Sequence, residues 1–396
     1  MRHSKNGDRY LCQTQKGRQA HQRLLVEVGL VIAIALVLIL VIPAVVSGFR
    51  LGLLGRFLAL AIVALGIDLI WGFTGLLSLG HGIFFALGGY ALAMYLQINT
   101  LGDGELPEFF SLYGVTELPW FWQPFYSLPF TLLAVFIIPA VVAGVLGYLV
   151  FRNRIRGVYF SILTQAALVV FFNFFNGQQE LINGTNGLKT DTSTFLGVEV
   201  GSSSAQFNFY ILTVVFLALA YALCRWLTSG RFGRMLIAIR DDENRMRFSG
   251  YDPTGFKVLV FAVSGAIAGI AGALYTVQSG IVSPQYMDIA FSIEMVIWVA
   301  VGGRATLVGA ILGAVFVNLG RSLLSESFPE IWLFFQGALF LLVVTALPDG
   351  VVGWLRYRLS DRFRRWFGRS RSVVTPPLLE LDPDVGAEKR EAIDKR

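Results

Sequence analysis

The chain has 396 residues, 55% hydrophobic and 15% charged, with a mean hydropathy of +0.64, whereas soluble domains carry about 25% charged residues. Of its 58 Asp, Glu, Lys and Arg, seven lie in 1–23 and eighteen in 351–396, leaving 33 for the 327 residues between. This excludes an ordinary soluble enzyme and predicts an all-α polytopic membrane protein.

Residues 1–23 form a basic extension with Arg2, Lys5, Arg9, Lys16, Arg18 and Arg23. The apolar run 24–47 lacks a small-residue cleavage pattern and reads as an uncleaved first span. Further runs at 51–71, 83–98, 125–151, 157–175, 207–227, 257–278, 291–303, 307–320 and 331–349 bring the total to about ten crossings. Gly302, Gly303 and Gly309 flank the junction of runs eight and nine, so these are two spans, two half-helices or one broken helix. Residues 24–350 thus make one membrane domain, and 351–396 a basic tail.

Basic residues next to spans are retained on the cytoplasmic side. They collect at the N-terminus, at Arg152, Arg154 and Arg156, in the loop from Arg225 to Lys257, and from Arg356 to Arg371. The intervening loop 99–124 has four acidic residues and no Lys or Arg. Both termini are expected inside. The net charge of +6 points to anionic lipid rather than nucleic acid, because Arg356–Arg371 follows a span directly and is interleaved with Trp366, Phe363 and Phe367. Residues 375–396 read as disordered.

The chain contains no Gly-Lys pair and hence no phosphate loop, no H-E-x-x-H and no Cys/His cluster, so neither ATP hydrolysis nor a metal site is expected of it. No covalent chemistry and no cofactor are expected. Cys12 and Cys224 make no disulfide framework. Intramembrane ionisable groups are sparse, with Asp68 and Glu294 the main candidates. Asp68 reads as a pathway group or an interfacial cap, Glu294 as a pathway group or one facing water at the outer mouth. In Gly72–Gly82, four glycines, two hydroxyls and a His interrupt apolar sequence. Ser78 and His81 there read as polar groups of a translocation path or as part of an inner-face turn. The glycines at 265, 269, 272, 302, 303, 309 and 313 read as helix packing or pore lining.

The loop 228–256 carries the clearest local signal. Asp241 or Asp242 caps a helix start, Glu243 suits the positive end of the dipole, Arg245 and Arg247 the negative end, and Gly250 a left-handed stop. The spacing predicts a short helix over 241–249, and Met246, Phe248 and the run 235–239 leave apolar surface for a partner.

The segment Ala238-Ile-Arg-Asp-Asp-Glu-Asn244 with Gly250-Tyr-Asp and Lys257 resembles the coupling loop of permease subunits in the branched-chain amino acid importer family of ABC transporters. Gly75-Leu-Leu-Ser-Leu-Gly-His-Gly-Ile-Phe-Phe-Ala-Leu-Gly-Gly-Tyr90 and Gly265-Ala-Ile-Ala-Gly-Ile-Ala-Gly-Ala-Leu-Tyr275 resemble it too. The motifs at 68–75, 117–124, 154–162 and 184–188 are similar to a urea-import branch. Ala305 departs from the pattern, which usually has Gly there. The resemblance implies a bacterial inner-membrane permease that passes urea or, as the alternative, branched-chain amino acids. Its implied partners are a second related permease, two ATPase subunits that bind the ATP, and a periplasmic solute-binding protein. It also implies that Ala238, Arg240, Asp241, Glu243 and Gly250 contact the ATPase. An ion-coupled secondary transporter is a remote alternative.

Overall fold

The computed structural model describes residues 29, 31–101, 105–328 and a subset of 330–354. The basic extension 1–23 and the tail from 355 lie outside the described residues, as does much of the run 331–349. The described chain is helical, and seven helices are long and apolar enough to cross a bilayer. These are α2 (Gly48–Thr74), α3 (His81–Leu101), α4 (Leu128–Arg152), α5 (Val158–Gly177), α6 (Ser203–Ser229), α9 (Pro253–Ser279) and α11 (Leu307–Ser327). Two shorter apolar helices, α1 (Val31–Val45) and α10 (Ile289–Gly302), complete the set, and α7 (Arg231–Asp241) and α8 (Glu243–Phe248) lie between α6 and α9.

The expected first span 24–47 is therefore described only as α1, whose regular hydrogen bonding breaks at Val41, two residues before Pro43, where the missing N–H interrupts the ladder. Run eight is α10, only 14 residues, about 21 Å long against roughly 30 Å of hydrocarbon. Run nine, α11, is full length.

Helices α2, α3 and α9 are buried on nearly every face, while α4, α5 and α6 turn most of their apolar surface outward. That asymmetry suits a bundle with lipid-facing outer helices. The centre is α9, packed on α2, α3 and α4. Small residues allow this: a methyl on Gly272 would overlap the Phe85 carbonyl of α3, one on Gly88 the Gly269 backbone, and one on Gly269 both Pro139 and Val135 of α4. The glycines of 265–272 are thus packing surfaces. Gly302, Gly309 and Gly313 do the same where α10 crosses α11, each against the partner helix's backbone or side chains.

The segment 75–80 between α2 and α3 is non-helical. Gly75 ends α2 in the left-handed conformation at φ +75°, and the non-helical chain that follows bonds to α5. Unwound backbone at membrane depth needs internal partners, and α5 supplies them: Ser161 Oγ donates to the Leu77 carbonyl at 2.7 Å and Leu79 N–H donates to Thr164 Oγ1 at 3.0 Å. Four two-residue strands tie the loops at the end away from the basic loops. Here β1 (Leu188–Lys189) pairs with β4 (Ile281–Val282), and β2 (Thr194–Phe195) with β3 (Val198–Glu199), both antiparallel.

Candidate functional site

At the basic face, Phe232, Leu236 and Ile239 repeat at helical spacing and turn inward from α7. That i, i+4, i+7 spacing is the sequence signal for α7, which lies within the segment read above as a loop. It ends at Asp242, whose extended backbone separates it from α8 and whose carboxylate accepts from Asn244 N and Arg245 N at 3.0 and 3.1 Å. The predicted helix 241–249 is thereby corrected to Glu243–Phe248: Asp242 is the cap, and Asp241 belongs to α7 and is exposed. Gly250 adopts φ +84° after the helix, as its left-handed stop requires.

Glu243 does not face solvent. Its carboxylate accepts from Lys257 Nζ of α9 at 2.6 Å and from Arg247 at 2.9 Å, and Arg156, from the turn joining α4 to α5, lies at 3.1 Å. The Glu243 side chain is 9% exposed and that of Lys257 2%. Burial alone would raise the Glu243 carboxyl, but the Lys257 and Arg247 hydrogen bonds and the nearby Arg156 charge outweigh it and hold the group below the usual carboxylate range. Arg240 stays exposed and pairs with Asp241 at 3.3 Å, while its guanidinium donates to the Gly72 carbonyl at 2.9 Å in the last turn of α2, where a cation meets the negative end of the helix dipole. Of the five expected ATPase contacts, Arg240 and Glu243 bind the loop to α2 and α9, Ala238 is half-buried, and Asp241 and Gly250 are exposed. The outward apolar groups are Phe248, 91% exposed, and Tyr251.

At the opposite end a cavity of about 640 Å³ lies between α2, α10 and α11. Its wall carries both signs of charge, Arg56 and Arg321 facing Asp288, Glu294 and Glu326. Glu294 and Arg321 form an ion pair across α10 and α11 at 2.5 Å. The shortness of α10 leaves room for this cavity at the end of the bundle.

The four expected pathway residues are not brought together. Glu294 lines this cavity. Asp68, Ser78 and His81 are buried among helices, each with a packing or hydrogen-bonding role. Ser264 Oγ of α9 donates to the Gly66 carbonyl at 2.6 Å and meets His81 Nε2 at 2.7 Å. With its one proton given to Gly66, Ser264 must accept from His81, which fixes the Nε2–H tautomer. This chain ties α2, α3 and α9 together at mid-depth. Ser78 Oγ accepts from Gly80 N–H within the non-helical segment. Asp68 Oδ1 accepts from the Ala305 amide at 2.7 Å and so holds the turn between α10 and α11. Ala305 has φ +57°, the conformation for which glycine is favoured, and Gly72 sits against its backbone. The described residues contain no group of three or more His, Cys, Asp or Glu placed to hold a metal.

Comparison with known proteins adds to this geometry. The family model "Branched-chain amino acid transport system / permease component" matches residues 49–344. The chain is 27% identical over 376 residues to the high-affinity branched-chain amino acid transport system permease protein LivM of Salmonella typhimurium, covering 90% of this chain and 80% of that protein. It is 26% identical over 379 residues to LivM of Escherichia coli (90% and 81%), and 23% identical over 306 residues to LivH of Salmonella typhimurium (74% and 91%). No solved structure matches. An all-α bundle of this kind, matched along most of its length, belongs to the family of permease components of branched-chain amino acid transport systems.

Proposed function

We propose that this chain is the passive, solute-conducting subunit of an ATP-driven importer in the bacterial inner membrane, with both termini and the 228–256 loop in the cytoplasm. The observation that carries it is the attachment of α7 and α8: Arg240 grips the end of α2, and Glu243 joins α9 to the α4–α5 turn. A force on the exposed side of this loop, at Asp241, Phe248, Gly250 and Tyr251, is therefore delivered to two central helices. The chain has no phosphate loop, so ATP is bound and hydrolysed by two partner subunits docked there. A second related permease and a periplasmic binding protein complete the assembly.

The favoured solute is a branched-chain amino acid, the class named in the relatives' titles. The far-face cavity supports this reading, because a zwitterion needs both signs of charge and the wall carries Arg56 and Arg321 beside Asp288 and Glu294. A second reading, urea, rests on the motifs at 68–75, 117–124, 154–162 and 184–188 and on the scarcity of charge at mid-depth, since a neutral solute needs no counter-ion. Competition uptake by the assembled complex separates the two: labelled leucine is taken up and unlabelled urea fails to compete. Uptake of labelled urea that leucine does not inhibit overturns the amino acid assignment.

A further inference from the structure

Two of the charged side chains lining the far-face cavity cancel each other, since Glu294 of α10 and Arg321 of α11 form an ion pair. What remains is one cation, Arg56 of α2, against the carboxylates of Asp288 and Glu326. Arg56 is half-buried and anchored: its Nε donates to the Gln278 carbonyl at 2.9 Å in the last turn of α9, where a helix C-terminus favours a cation. Among the described residues its two terminal nitrogens make no hydrogen bond and no ion pair. A guanidinium held in place with its planar fork unused is matched most closely by a carboxylate, which accepts two parallel hydrogen bonds.

Beside this cation the wall is apolar. Leu53, Arg56 and Phe57 follow one another at i, i+3 and i+4, so they share one face of α2 with about 5–6 Å between neighbouring Cβ atoms. Tyr286 and Phe291, both half-buried and with rings 5.4 Å apart, line the same cavity. An anion site and an apolar patch this close suit a molecule whose carboxylate and aliphatic group branch from one carbon. The other occupants fit less well. Hydrocarbon is excluded by the charges, a cation is repelled by Arg56, a simple anion by Asp288 and Glu326, and a neutral solute leaves the fork of Arg56 unmatched.

We propose that Arg56 is the specificity-determining residue of this cavity, its guanidinium fork receiving the carboxylate of an aliphatic α-amino acid whose side chain lies on Leu53, Phe57 and Phe291 and whose ammonium faces Asp288 and Glu326. Resting on the amino acid reading above, this assignment adds which group of the solute each part of the wall recognises. It makes a free carboxylate a requirement for entry.

The test uses the complex of this chain with its partner permease and ATPase subunits, in nanodiscs and without the binding protein, carrying Ser322→Cys on the α11 wall of the cavity. Modification of that position by a methanethiosulfonate reagent is followed by mass spectrometry of the peptide that contains it. Leucine is expected to slow the modification, whereas leucinamide, which lacks the carboxylate, should need a concentration about tenfold higher or more, the worth of a hydrogen bond to a charged group. Arg56→Gln should raise the leucine requirement to the leucinamide level, and Arg56→Lys should restore part of the preference. An unchanged rate of modification without solute shows that the cavity keeps its shape in both variants. Ser325→Cys, on the same wall, is the second reporter where Ser322→Cys prevents assembly. If the complex takes up labelled leucine but its protection is no better than that of leucinamide, or is undiminished by Arg56→Gln, the proposal is overturned and the amino acid reading stands. Reporters that no reagent reaches in the assembled complex would also overturn it, because a partner subunit then covers the cavity. Uptake of labelled urea in place of leucine would overturn the reading and this assignment together.

Discussion

Ala305 holds the turn between α10 and α11 in a left-handed backbone conformation. At φ +57° an alanine carries a steric cost of about 1–2 kcal/mol, part of which glycine forfeits again through its freer unfolded state. Ala305→Gly is expected to raise thermal stability by a net ~0.5–1 kcal/mol, measured as melting of the purified complex. The neighbouring Asp68 matters as an acceptor for the Ala305 amide rather than as a charge. Asp68→Asn keeps an acceptor and should preserve assembly and uptake, whereas Asp68→Ala strands a buried N–H and should cost ~1–3 kcal/mol. Glu243 is the opposite case, since three cations converge on its carboxylate. Glu243→Gln leaves them uncompensated and is expected to destabilise the loop by about 3–5 kcal/mol and to uncouple ATP hydrolysis from uptake. Because its folded value lies below the ordinary one, the stabilisation it provides is complete above the usual glutamate range near about 4.3 and is lost as pH falls through the lower, folded value. Hydrogen exchange across 231–250 should therefore stay slow from neutral pH down to about 5 and accelerate in more acid solution relative to α9. The residue types in 238–250 were legible from the sequence, but not the direction in which Arg240 and Glu243 point, because that depends on Gly72, Arg156 and Lys257, which lie far away along the chain.

Glycine-bearing interfaces govern the elements. At Gly272 even a methyl meets the Phe85 carbonyl, and backbone cannot swing aside as a long side chain would. Gly272→Ala is expected to cost about 1–3 kcal/mol or more and Gly272→Leu to abolish assembly, read as loss of the complex on size-exclusion chromatography. Gly320→Ala in α11, where nothing lies within 4 Å, is the matched control and should be neutral or slightly stabilising. Run lengths located most spans to within a few residues, since a continuous apolar stretch has little alternative in a membrane. Three things were not legible. The helix α7 hid behind its charges, its apolar face being only three residues wide. For α10 the sequence left a full span, a half-helix or part of a broken helix open, and what settles it is the Asp288 cap that starts the helix at Ile289 directly after the turn Pro284–Met287. The segment 75–80 reads as a turn or a path, and the structure adds that its non-helical backbone is bonded to Ser161 and Thr164, partners that no local pattern in 72–82 discloses.

Across the molecule, the charged cavity at one end and the basic-face loop at the other are connected through α2 and α9: Arg56 of α2 lines the cavity while Gly72 of the same helix receives Arg240. Polar groups at mid-depth, His81 and Ser264, fasten these helices to α3, so movement imposed at one end is carried by packed, hydrogen-bonded elements with little slack. Composition and motif spacing made the membrane class, the family and the loop legible, whereas the cavity is assembled from residues 53 to 326 and had no signature in any single stretch. The account stands or falls on where the driving force enters. In proteoliposomes containing the full complex, uptake of labelled leucine should require ATP inside, and a cross-link from Phe248→Cys to an ATPase subunit should halt it until reduced. Solute accumulation by this chain alone under an ion gradient, or full uptake with that cross-link in place, would contradict it.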